Sequence, residues 1–136
     1  MNWIGALALG LLALTLGMIL WSGLSARDLR GRAVDELFPL LPGLAEQQAR
    51  AVIYCYTVHC GPCRKMGRQI DRLAASHRNL FKLDLAEHPK QARALGIRAT
   101  PTTLLVEDGR VLKALIGAGA IAAIEVFLET ARPAAG

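Results

Sequence analysis

Two cysteines stand three positions apart in Val58-His59-Cys60-Gly61-Pro62-Cys63-Arg64-Lys65, directly behind an apolar run. Such a pair serves three chemistries: thiol-disulfide exchange, half of a tetrahedral metal site, or a static crosslink. A structural zinc site needs four Cys or His ligands, and no second C-x-x-C occurs; His59 is adjacent to Cys60 in a way that does not readily wrap the same ion. The chain has three cysteines, so at least one lacks a partner within the monomer.

The elements around the pair bias its chemistry. Residues 51–57 (Ala-Val-Ile-Tyr-Cys-Tyr-Thr) are rich in β-branched and aromatic side chains and predict a buried strand. Met66, Ile70, Leu73 and Ala74 then recur at helical spacing and predict an amphipathic helix beginning at the second cysteine. At such a strand-to-helix junction, unpaired N–H groups and the positive end of the helix dipole favour a thiolate. That lowers the Cys60 pKa from ~8.5 by about one unit or more. Cys60 is then the nucleophile, and Cys63, one turn later, the resolving thiol. Pro62 fits the first turn because its missing N–H has no intrahelical partner there. Arg64 and Lys65 add positive potential from solvated side chains.

Further along, residues 80–85 alternate as a strand and residues 89–95 predict a short helix closed by Gly96. Residues 103–106 and 111–115 read as two strands joined at Asp108-Gly109, a dipeptide suited to a tight hairpin. Ile121, Ile124, Phe127 and Leu128 mark a closing helix. The order β, α, β, α, β, β, α predicts an α/β fold with a mixed central sheet flanked by helices. Upstream, Val34, Leu37 and Phe38 form one face of a short helix before Pro39 and Pro42 interrupt it. The division expected is a membrane segment at 1–26, a tether and first helix at 27–44, one folded domain at 45–132 and a disordered tail at 133–136.

None of the 16 Lys and Arg or 11 Asp and Glu falls within positions 1–26. This apolar stretch is long enough to cross a bilayer, with Trp3 and Trp21 near its ends where tryptophan favours the headgroup level. No basic residue precedes it, which suits a retained anchor better than a cleaved signal peptide. Arg27, Arg30 and Arg32 follow it and, by the positive-inside rule, favour a cytoplasmic domain. The net charge of +5 is dispersed without a basic block or interleaved aromatics, which argues against nucleic-acid binding.

Four segments in order carry a resemblance to the thioredoxin family over roughly residues 45–132: Cys60-Gly61-Pro62-Cys63 after a strand, Lys82-Leu83-Asp84, Gly96-Ile97-Arg98-Ala99-Thr100-Pro101-Thr102, and Asp108-Gly109 with Gly117. The resemblance implies a thioredoxin-like fold, a cis-proline at Pro101 lying against the cysteine pair, and a substrate strand pairing with the backbone at Thr100. Gly61 and Pro62 would share in substrate binding. It also implies reduction of protein disulfides by a monomer, with an upstream thiol reductant and no metal or organic cofactor beyond the Cys60–Cys63 disulfide. Anchored relatives commonly face the bacterial periplasm, against the charge rule, and the domain is expected there. A narrower alternative is a docking module for one client in cytochrome or metalloprotein maturation.

Two departures stand out. His59 replaces the usual tryptophan before the first cysteine, and is either a modulator of the Cys60 thiolate or an exposed rim residue. Tyr54 replaces the family's buried Asp, and a phenol is a poor base near neutrality. Proton transfer then falls to Lys82, water or His59. Cys55 reads as a small buried hydrophobe, and His77 and His88 as surface residues.

Overall fold

The computed structural model describes residues 2–130. Helix α1 (Trp3–Leu29) is followed by a 3-10 turn (Asp35–Leu37), α2 (Leu44–Gln47), β1 (Arg50–Tyr56), α3 (Gly61–Ser76), β2 (Leu80–Asp84), α4 (Pro89–Leu95), β3 (Thr102–Glu107), β4 (Arg110–Ile116) and α5 (Ile121–Thr130). The tail predicted at 133–136 lies outside the described residues.

The four strands form one sheet in the order β2-β1-β3-β4. β1 runs parallel to β2 and antiparallel to β3, and β3 and β4 form an antiparallel hairpin. A parallel neighbour requires a crossover, which α3 provides; an antiparallel one needs only a turn. Asp108 and Gly109 make that turn with φ of 52° and 74°. A side chain at Gly109 would displace only the mobile end of Gln48, so it is the positive φ that favours glycine there.

Alternation along β1 divides its side chains between two cores. Ala51, Ile53 and Cys55 face one cluster with Leu83, Leu104, Val106, Ala92 and Leu95. Val52 and Tyr54 face the other, built with Met66 and Ile70 of α3 and Ile124, Phe127 and Leu128 of α5. Every residue from Ala51 to Cys55 is therefore buried, as expected of a central strand covered on both faces.

The segment read as a tether is largely part of the first core. Leu29, Val34, Leu37, Leu41 and Leu44 are buried within it. Backbone bonds from the Gly31 N–H to the Val111 carbonyl and from the Val111 N–H to the Arg32 carbonyl lay this segment along the edge of β4. The N-terminal part of α1 stands free: all its large apolar side chains from Trp3 to Leu20 are exposed. By length and composition α1 is able to cross a membrane.

Candidate active site

At the end of β1 the chain turns through Thr57-Val58-His59 into α3, and Cys60 is the helix N-cap. The helix starts at Gly61, two residues earlier than the apolar spacing predicted, because Gly61 and Pro62 are exposed and take no part in the buried stripe of Cys63, Met66 and Ile70. Gly61 and Pro62 are exposed, Cys60 is half-buried and Cys63 is buried. The two cysteines are joined as a disulfide with a Cα–Cα separation of 5.1 Å. The Cys63 backbone N–H donates to the Cys60 Sγ at 3.2 Å, the contact an N-cap side chain makes with the third helical residue. In the reduced state the same donor faces the Cys60 thiolate, and with the helix dipole it favours the charged form.

Beside Cys63 lies an open hollow of about 260 Å³ lined in part by Tyr54, Tyr56, Cys63, Gly67, Asp71 and Lys82. The Tyr54 hydroxyl donates to the Cys63 carbonyl at 3.1 Å, and its ring stacks on Tyr56 with centroids 5.6 Å apart. Burial, with smaller contributions from Tyr56, Asp71 and Cys55, pushes the Tyr54 phenol above its ordinary value. It is thus a neutral donor at physiological pH. The Lys82 ammonium lies 5.1 Å from the Tyr56 ring centre and donates to an Asp71 carboxylate oxygen at 2.8 Å. Asp71 lies on the exposed face of α3, between the apolar positions Ile70 and Leu73. Its position eight residues after Cys63 puts it on the same side of α3, two turns along, and that spacing is the signal that was available.

Across the sheet end, the Thr100–Pro101 peptide is cis. Thr102 pairs with Cys55 of β1, so Pro101 enters at the same end of the sheet as the cysteine loop. Thr100 is half-buried and Pro101 buried; the Gly117 N–H donates to the Pro101 carbonyl at 2.9 Å. His59 is exposed on the rim. Cys55 is fully buried, and burial pushes its thiol up to about 12. His77 bonds the Leu73 carbonyl at the end of α3, and His88 caps the start of α4 by position only; both are partly exposed. Among the described residues, no three His, Cys, Asp or Glu side chains gather as a metal-binding group.

The thioredoxin family model matches residues 42–130. The chain belongs to the thioredoxin family. Thioredoxin 2 of Chlorobaculum tepidum is 34% identical over 71 residues, covering 50% of this chain and 65% of that protein. A thioredoxin of Chlorobaculum thiosulfatiphilum is 37% identical over 62 residues, covering 43% of this chain and 57% of that one. The chain thus spans less than two thirds of the length of these thioredoxins. Among solved structures, oxidised mitochondrial thioredoxin 3 of Saccharomyces cerevisiae has a TM-score of 0.54 at 30% identity, covering 64% of this chain and 83% of that one. A Schistosoma mansoni thioredoxin has a TM-score of 0.59 at 23% identity, with 72% and 89% covered, and shows the shared fold alone. The thioredoxin match begins at residue 42, so α1 lies outside it.

Proposed function

We propose that the protein is a membrane-tethered thiol-disulfide oxidoreductase that reduces protein disulfides. The observation that carries this reading is Cys60 as the N-cap of α3, bonded to Cys63 within the first helical turn. In the reduced protein, the Cys60 thiolate attacks one sulfur of a substrate disulfide. A mixed disulfide forms and one substrate thiolate leaves. Cys63 loses its proton and attacks the Cys60 Sγ, which restores the Cys60–Cys63 disulfide and releases the second substrate thiolate. Two electrons pass to the substrate, and an upstream dithiol must return them.

The proton of Cys63 needs an acceptor. Tyr54 is excluded by its raised pKa. The Lys82–Asp71 pair, which lines the same hollow as Cys63, is the acceptor we favour, through water in that hollow. Backbone at Thr100, beside Pro101, with Gly61 and Pro62, forms the surface on which a substrate strand would lie. His59 sits at its rim. The reaction draws on no metal or organic cofactor, and one copy of the chain carries every group named.

Single-turnover reduction of insulin by the reduced, detergent-solubilised chain tests this function. Release of two insulin thiols per protein oxidised is the expected result. Failure to reduce insulin, with exchange confined to one isolated client, would favour the narrower docking role.

Helix α1 supplies the tether: its free portion is uncharged, exposes apolar side chains all round, and is long enough to span. Behaviour of the anchored relatives favours a periplasmic domain, whereas Arg27, Arg30 and Arg32 after the span favour the cytoplasm. A phosphatase reporter at the C-terminus, active only outside the cytoplasm, is expected to be active; inactivity would assign the domain to the cytoplasmic face.

A further inference from the structure

The path of α1 over the domain carries information about which way the site faces. Val34 bonds Gly109 at the hairpin end of the sheet, Ala33 bridges Arg110, and Gly31 bonds Val111. Going back along the chain, Arg30, Arg27 and Ala26 line one hollow with Lys113 and Ala114. Further back, Leu24 and Trp21 line another with Gly96 and Arg98, and the Arg98 guanidinium lies 6.0 Å from the Trp21 ring centre. The contacts therefore climb β4 from its Arg110 end toward its Ile116 end. Ile116 pairs with Thr102, the residue after Pro101, so the climb is toward the cysteine pair.

The remaining stretch from Trp3 to Leu20 extends about 27 Å at 1.5 Å per residue, close to the ~30 Å of a bilayer's hydrocarbon layer. Trp21 then lies at the headgroup level while already against Arg98. No slack segment separates the span from the domain. Exposed Val58, Arg64 and Lys65 belong to the same end of the sheet, and offer one apolar and two cationic side chains to a headgroup layer.

We propose that α1 leaves the domain on the side of the Cys60–Cys63 pair, so that the exchanging face is held against the bilayer surface. Its partner is then a cysteine pair of a membrane protein positioned at headgroup level. This rests on reading α1 as a bilayer span. The exchange chemistry is unchanged; what the geometry selects is where the partner's sulfurs must lie. Large soluble disulfide proteins meet the opposite, hairpin end first.

The test uses the full oxidised chain in vesicles, with a fluorescent coumarin amino acid at Val58 in one preparation and at Glu107 in another. The six residues of β3 separate the two ends of the sheet by about 20 Å. Lipids bearing a nitroxide on the headgroup should quench the probe at 58 at least twofold more than the probe at 107. Equal quenching, or stronger quenching at 107, overturns the proposal while leaving the anchor intact. Failure of the chain to float with the vesicles would overturn the anchor and the proposal together.

A second readout uses the reduced chain. Inserting a 12-residue Gly-Ser linker between Ser22 and Gly23 keeps the turns from Leu24 to Leu29 on the domain, releases the Trp21–Arg98 contact and frees the domain from the surface. The linker variant should reduce soluble insulin at least fivefold faster than the native chain in the same vesicles. Equal rates would mean that the face is not held against the bilayer.

Discussion

The Tyr54 hydroxyl donates a hydrogen bond to the Cys63 backbone carbonyl across 3.1 Å, tying the central strand to the first turn of the redox helix. A tyrosine thus occupies the place of a carboxylate and acts as a positioning residue. Tyr54→Phe should remove about 1 kcal/mol of stability and lower Tm by a few degrees. The rate of insulin reduction at pH 7 should change by less than about twofold, because a neutral phenol was never the proton acceptor. A tenfold fall in rate without a change in fold would reassign that role to Tyr54.

Asp71 and Lys82 should behave in the opposite way. Their side chains are 62% and 35% exposed, so the ion pair contributes less than about 1 kcal/mol to stability. Asp71→Asn and Lys82→Gln should leave thermal unfolding nearly unchanged but slow resolution of the mixed disulfide several-fold, roughly the range below the 10²-fold of general acid-base catalysis. The double variant should be little slower than either single one, since both remove one relay. Additive slowing in stopped-flow single turnovers would show two independent contributions.

Cys55 gives a stability prediction with a defined pH window. Burial raises its thiol from 9.0 to about 12 in the folded protein, so the unfolded chain loses that proton first. Its contribution is complete below pH 9 and declines as pH rises toward 12. Urea midpoints should fall more steeply over that range for the native chain than for Cys55→Val, which has no thiol to ionise. Parallel curves would mean that the thiol reaches solvent. Tyr54, whose pKa is also raised, loses stability in the same alkaline direction in both proteins.

Leu29 tests whether the segment after the span belongs to the fold. It is 1% exposed and packs in the cluster with Val34, Leu37 and Leu44. Leu29→Ala should cost about 2–5 kcal/mol, read by denaturant unfolding of the detergent-solubilised chain. An unchanged midpoint would return residues 27–44 to the status of a tether.

Most of the fold was legible because local signals agreed. The β-branched run before Cys60, the helical spacing of Met66 and Ile70, Gly96 as a helix stop and Asp108-Gly109 as a hairpin turn each have one favoured backbone solution. The cysteine pair was legible for the same reason. What escaped was long-range. Leu29, Val34 and Leu37 lie in a charged segment that Pro39 and Pro42 then interrupt, and the local helical face of Val34 and Leu37 does not say that these side chains complete a core beneath β4. Asp71 is one charge on the exposed face of α3; only the parallel pairing of Tyr54 with Lys82 in the neighbouring strand brings Lys82 within its reach. The apolar periodicity alone starts the helix two residues late, at Cys63, because exposed Gly61 and Pro62 lie outside the buried stripe; Pro62, suited to a first turn, is the local mark of the true start.

The measurement closest to the central claim compares Cys60→Ser and Cys63→Ser against a disulfide-bonded protein substrate, with products resolved on a non-reducing gel. Cys63→Ser should accumulate a covalent adduct through Cys60 that disappears on adding a small thiol, and Cys60→Ser should form none and reduce nothing. Adduct formed through Cys63 in the Cys60→Ser variant, or substrate reduction by that variant at the native rate, would contradict the assignment of Cys60 as the attacking thiol.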